Sequence, residues 1–177
     1  MSDQILWFAA RGAGIVSLLM LTASAAFGLI TVTRFQAAGW PRFFNYEMHR
    51  RVSLLSVAFL AIHILAAIMD PYLKLGLTAA LVPFASSWKP LPMALGVISL
   101  YLVVALIATS LLRRHLSMRT WRLVHWRSYL MWPLALSHTV TAGTDALSPW
   151  MLVVEAVCLA VVAGAATWPK HPDGLGR

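Results

Sequence analysis

The chain has 177 residues, 60% of them hydrophobic and only 11% charged, with a formal net charge of +8. An average soluble domain is roughly 45–50% apolar and about 25% charged, so this composition excludes a soluble enzyme, a disordered chain and a nucleic-acid binder, and points to one integral membrane domain spanning 1–177. The single cysteine, Cys158, excludes an intrachain disulfide and any cysteine-rich metal or iron–sulfur site.

A membrane-spanning helix needs about 20 mostly apolar residues. The first such run is 12–33. Arg11, the apolar residues after it and Ala23-Ser24-Ala25 imitate a secretory signal. The run continues unbroken to Thr33 and no basic cluster precedes it, so it is expected to stay as the first helix. The second run is 52–69, closed by Asp70 and Pro71. The stretch 75–85 is apolar but too short to span and reads as an interfacial loop helix. The third run is 91–112, closed by Arg113 and Arg114. The fourth is 126–144, with Pro133 inside it, and the fifth is 149–168, ended by Pro169 and Lys170. The expected fold class is therefore all-α: a polytopic membrane bundle of five transmembrane helices in a cell membrane.

The charges orient the bundle. Arg34, Arg42, Arg50 and Arg51 lie between the first two spans. Arg113, Arg114, Arg119, Arg122 and Arg127 lie between the third and fourth, and Lys170 and Arg177 follow the fifth; only Arg11, Lys74 and Lys89 fall on the other side. The positive-inside rule places the amino terminus outside and the carboxyl terminus in the cytoplasm. Seven of the eight tryptophans, all but Trp132, sit near span ends or in loops, as an aromatic belt at the lipid headgroups requires. No strand pattern and no glycine-rich nucleotide fingerprint is present, and no soluble catalytic domain is expected at either end.

The chemistry lies in the histidines. His49 and His63 are 14 residues apart at span two, and His125 and His138 are 13 apart at span four. Both spans run from cytoplasm to outside, so the four histidines form two pairs at matched depths. Fourteen helical residues rise about 21 Å and thirteen about 19.5 Å, which sets one pair near each face of a hydrocarbon layer roughly 30 Å thick. Two stacked haems, each taking one imidazole from each helix, need this arrangement. The angular match is incomplete. At about 100° per residue, His63 falls only about 40° short of whole turns from His49, whereas His138 falls about 140° short relative to His125. Pro133 is the expected source of a compensating distortion. His115, in the basic loop, and His171, in the tail, read as solvated residues.

The segments HRRVSLLSVAFLAIH at 49–63, LGVISLYLVVALIATSLLRR at 95–114, WRLVHWRSYLMWPLALSH at 121–138 and RGAGIVSLLMLT at 11–22 resemble the ferric reductase-like transmembrane domain. That family includes ferric reductases, NADPH oxidases and MsrQ-type membrane subunits. The resemblance covers roughly 11–145. It implies a b-type dihaem protein carrying electrons across the membrane, with His49 and His125 ligating the inner iron and His63 and His138 the outer. The fused flavin and nicotinamide domain of the oxidases is not in this sequence. A cytosolic flavoprotein reductase is the implied electron donor, and the implied acceptor is extracytoplasmic: ferric iron, a flavin or a secreted reductase subunit.

A bis-imidazole iron has no open position, so its task is electron transfer. Haem propionates seek arginine. Arg42, Arg50, Arg51, Arg122 and Arg127 are candidates at the inner face, against a competing role in topology and lipid phosphate contact. Arg11 and Glu155 fall at similar depth below the outer face, where Arg11 is expected to neutralise Glu155 or meet an outer propionate. The alternative reading is a transition-metal transporter using the same histidines, since imidazole suits zinc and copper as well; Glu155 is then the only carboxylate within a span to assist them.

Overall fold

The computed structural model describes residues 2–32, 42–71, 73 and 75–167. Arg34, Trp40, Lys74, Trp168, Lys170, His171 and Arg177 lie outside the described residues. Seven α-helices occur in chain order among them: α1 (Ser2–Val32), α2 (Arg42–Met69), α3 (Gly76–Leu81), α4 (Pro90–Leu111), α5 (Met118–Arg127), α6 (Met131–Ala142) and α7 (Pro149–Thr167). Two 3₁₀ turns, Arg113–His115 and Ser128–Leu130, precede and follow α5. No strand occurs among the described residues.

Four helices are long and apolar enough to cross a membrane: Gln4–Thr31, Phe43–Met69, Pro90–Leu111 and Pro149–Thr167. The protein is thus an all-helical multi-pass membrane protein. α1 and α2 begin about ten residues earlier than the apolar runs suggest, so Arg11 lies well inside α1, and His49, Arg50 and Arg51 lie on α2. Large apolar side chains face outward along the bundle, among them Leu55, Leu65, Val104 and Val153. In lipid such a surface carries no penalty, and every backbone group is met within its own helix.

The expected fourth span is not one helix. It is broken into α5, the turn Ser128–Leu130 and α6. Pro133 explains the place of the break. Proline has no N–H to give the carbonyl four residues back, and its ring crowds that carbonyl; here that residue is Tyr129, inside the turn. Pro133 itself sits in the first turn of α6, where proline is tolerated.

Two antiparallel helix pairs form the frame. α1 packs along α2, and α4 packs along α6, with α7 against the outer side of α1. Small side chains bring the backbones together, as membrane interfaces favour. Ser17 Oγ donates to the Ser56 carbonyl at 3.1 Å and Ser56 Oγ returns the bond to the Ser17 carbonyl at 3.2 Å. Ser99 Oγ ties α4 to the Met131 carbonyl of α6 at 3.2 Å. A core of Leu18, Trp132, Leu136 and Cys158 joins α1, α6 and α7, and the Trp132 indole donates to Thr22 Oγ1 at 2.9 Å.

Candidate functional site

Between the two helix pairs lies a cavity of about 1100 Å³, above the roughly 300–1,000 Å³ of ordinary small-molecule sites. It runs past all four histidines. Trp7, Arg11, Trp88 and Thr144 line one end; Arg50, Arg113, Arg122 and Trp126 line the other.

The structure brings the histidines together in the two expected pairs. The ring centroids of His49 and His125 are 6.3 Å apart, and those of His63 and His138 are 6.5 Å apart. The broken fourth segment makes this possible. A 3₁₀ residue turns about 120° and rises about 2.0 Å, against about 100° and 1.5 Å in an α-helix. Three such residues between His125 and His138 cut the angular shortfall from about 140° to about 80°. They also lengthen the thirteen-residue rise to about 21 Å, the same as fourteen α-helical residues on α2. The shorter spacing and the irregular turn compensate each other.

Three of the four imidazoles are oriented by backbone carbonyls. His63 Nδ1 is 2.7 Å from the Ala10 carbonyl, His138 Nδ1 is 2.8 Å from the Pro92 carbonyl, and His49 Nδ1 is 2.9 Å from the Ser24 carbonyl. A ring nitrogen facing a carbonyl must carry the proton and donate it, which leaves Nε2 with its lone pair free to bind a metal. Each of these carbonyls lies four residues before a glycine on the same helix: Ala10 and Gly14, Ser24 and Gly28, Pro92 and Gly96. A helical carbonyl is already claimed by the N–H four residues on. A side chain at that fourth residue would crowd an approaching imidazole. A Cβ at Gly14 would sit 2.8 Å from His63 Nδ1, and one at Gly96 would sit 2.8 Å from His138 Nδ1, whereas at Gly28 the nearest His49 atom is 3.6 Å away. These glycines were not among the sequence candidates. Their signal was the separation of Gly14 and Gly28, 14 residues, the same as that of His49 and His63 on the neighbouring antiparallel helix.

The separation of the paired rings can be tested against metal coordination. A metal–imidazole bond is about 2.0–2.1 Å and a nitrogen lies about 1.1 Å from its ring centre, so two imidazoles on opposite sides of one metal have centroids about 6.2–6.4 Å apart. The observed 6.3 and 6.5 Å match. No cluster of three His, Cys, Asp or Glu side chains able to hold a metal ion occurs among the described residues. Zinc and copper sites ordinarily draw three or four ligands from the protein. Two axial imidazoles suit a metal whose other positions are filled by a macrocycle, and the residues present fit haem.

The arginines divide by place. Arg50 and Arg122 line the cavity at the His49/His125 end, as does Arg113. Arg127 is exposed, and the cavity lining does not include it. Arg51 is exposed and pairs with Glu47 at 2.7 Å across one turn of α2. At the other end Arg11 lines the cavity and forms an ion pair with Asp145, in the connection between α6 and α7. The loop after α6 brings Asp145 to the same guanidinium, a partner the sequence did not suggest, while Glu155 stays buried on α7 within its electrostatic reach.

The sequence model described as "Ferric reductase like transmembrane component" matches residues 13–136. No curated protein and no solved structure matches the chain.

Proposed function

The chain belongs to the ferric reductase-like transmembrane family, and from that premise we propose that it is a transmembrane electron conduit built on two bis-histidine b-type haems. The two imidazole pairs, spaced for one metal each, carry this reading. When bound, each haem supplies one-electron transfer without an open position for substrate.

The chain's own residues have defined tasks. His49 and His125 hold the cytosolic-side iron; His63 and His138 hold the outer one. The Ala10, Ser24 and Pro92 carbonyls keep Nδ1 protonated and turn Nε2 toward the metal. Gly14 and Gly96 let His63 and His138 approach the helices that orient them. Arg50, Arg113 and Arg122 neutralise propionates at the cytosolic end, with Arg127 close by in sequence, and Arg11 serves the outer end.

In this reading α5, the turn and α6 make a fifth crossing, because their two histidines keep level with two on a continuous membrane helix. The amino terminus is outside and the arginine-rich connections face the cytosol. The donor is a cytosolic flavoprotein reductase, and the acceptor is an extracytoplasmic oxidant or reductase subunit. Purification in detergent with optical spectroscopy and haem quantitation tests this. Two b haems per chain are expected; a colourless protein that binds zinc would refute it.

A further inference from the structure

The cytosolic-side pair includes a contact of a different kind from the carbonyl-and-glycine seats. His125 stacks on Trp121, with ring centroids 4.5 Å apart and planes 22° from parallel. Trp121 lies one helical turn before His125 on α5, the spacing at which side chains of one helix meet. The Arg113 guanidinium lies 4.8 Å from the centre of the same indole. Tryptophan offers a cation the most favourable aromatic face. The indole therefore makes one contact with a cation from the turn after α4 and another with an imidazole that faces the cavity.

We propose that Trp121 is a positioning residue for the cytosolic-side haem. Its face fixes the plane of His125. This rests on the haem-binding function proposed above. His125 stands near the end of α5, immediately before a 3₁₀ turn, where a regular helix no longer dictates the direction of the side chain. The stack constrains the ring plane there, and Arg113 joins it to the turn after α4.

The test compares wild type, Trp121→Phe and Trp121→Ala, each purified with haem. Phenylalanine keeps an aromatic face; alanine loses it. Two readouts are taken: the rate of haem release to excess apomyoglobin, and the low-spin ferric electron paramagnetic resonance line, which reports the relative orientation of the two axial imidazole planes. The outer haem is the internal control. Trp121→Ala is expected to release the cytosolic-side haem about 10–100-fold faster, as loss of an outer-shell partner does, and to change its ferric line. Trp121→Phe is expected to keep the wild-type line and the wild-type release rate. A Trp121→Ala protein unchanged in both readouts overturns the proposal. So does a Trp121→Phe protein whose line and release rate are altered like those of the alanine variant. If Trp121→Ala fails to load haem, Trp121→Phe decides by the same two criteria. Wild-type protein without haem defeats the electron-conduit reading itself, and that result is read before any variant is made.

Discussion

Gly14→Ala places the sharpest demand on the outer histidine pair. The new methyl group would stand 2.8 Å from His63 Nδ1 and 3.1 Å from Cε1, closer than carbon and nitrogen tolerate. His63 must move, and the movement breaks its 2.7 Å bond to the Ala10 carbonyl. Overpacking of this kind costs about 1–3 kcal/mol, and the lost hydrogen bond about 1 kcal/mol. Replacing a helical glycine by alanine returns about 1 kcal/mol. The net loss of about 1–3 kcal/mol corresponds to a roughly 5- to 150-fold weaker hold on the outer haem. Gly28→Ala is the matched control. Its methyl group would meet His49 at 3.6 Å, an ordinary contact, so the helix-propensity gain should leave it neutral or slightly stabilised. Haem transfer to apomyoglobin, followed separately for the two haems, measures both. Outer haem held equally well by Gly14→Ala and wild type would show that Gly14 does not seat His63, and haem lost as readily from Gly28→Ala would show that the closer approach at Gly14 is not what decides.

Three further outcomes are expected. His63→Ala and His138→Ala should each remove the outer haem and spare the other, and the double variant should cost little more than either single, because both ligands serve one iron; spectra in which His63→Ala resembles His49→Ala would defeat the pairing by level. A cysteine placed at Ser117, in the arginine-rich connection, should resist an impermeant thiol reagent added outside intact cells, and rapid external labelling would reverse the orientation. Haem depletion should lower the thermal transition, since a ligand bound at 100 times its dissociation constant stabilises by about 2.7 kcal/mol, and a transition unmoved by depletion would mean that the cavity does not rely on its occupant.

Much of the site is visible in the sequence because its determinants are spacings. The 14-residue step from His49 to His63 places two candidate ligands on one face of one helix, and the 13-residue step of its counterpart reveals a mismatch and a proline near it. The sequence does not reveal the remedy. Whether Pro133 bends a helix, ends it or loosens a few residues upstream depends on neighbouring packing, and here a 3₁₀ turn at Ser128–Leu130 makes up both the missing rise and part of the missing angle. The glycine seats are half visible: Gly14 and Gly28 repeat the histidine step, but Gly96 acquires meaning only when α4 is laid beside α6. Arg11 shows the clearest limit. Depth arithmetic finds Glu155, whose charge Arg11 does reach, because both residues lie on helices; it cannot find the ion-pair partner Asp145, which lies in a connection whose path no periodicity describes. The stack of Arg113, Trp121 and His125 likewise joins residues from two elements, and only the i, i+4 step of its latter two members could be read beforehand.

The two imidazole pairs are stepped along the helix axes, about 21 Å apart by helical rise, and this gives the conduit an electrical character. An electron carried between the levels crosses about two-thirds of a hydrocarbon layer roughly 30 Å thick. One elementary charge crossing the whole layer exchanges about 2.3 kcal/mol with each 100 mV of membrane potential, so this step exchanges about 1.6 kcal/mol. In the proposed orientation, with the cell interior negative, the field would push electrons outward, toward His63 and His138. An energised membrane would then bias the proposed conduit toward reducing its outer end, and each turnover would discharge part of the potential that drives it.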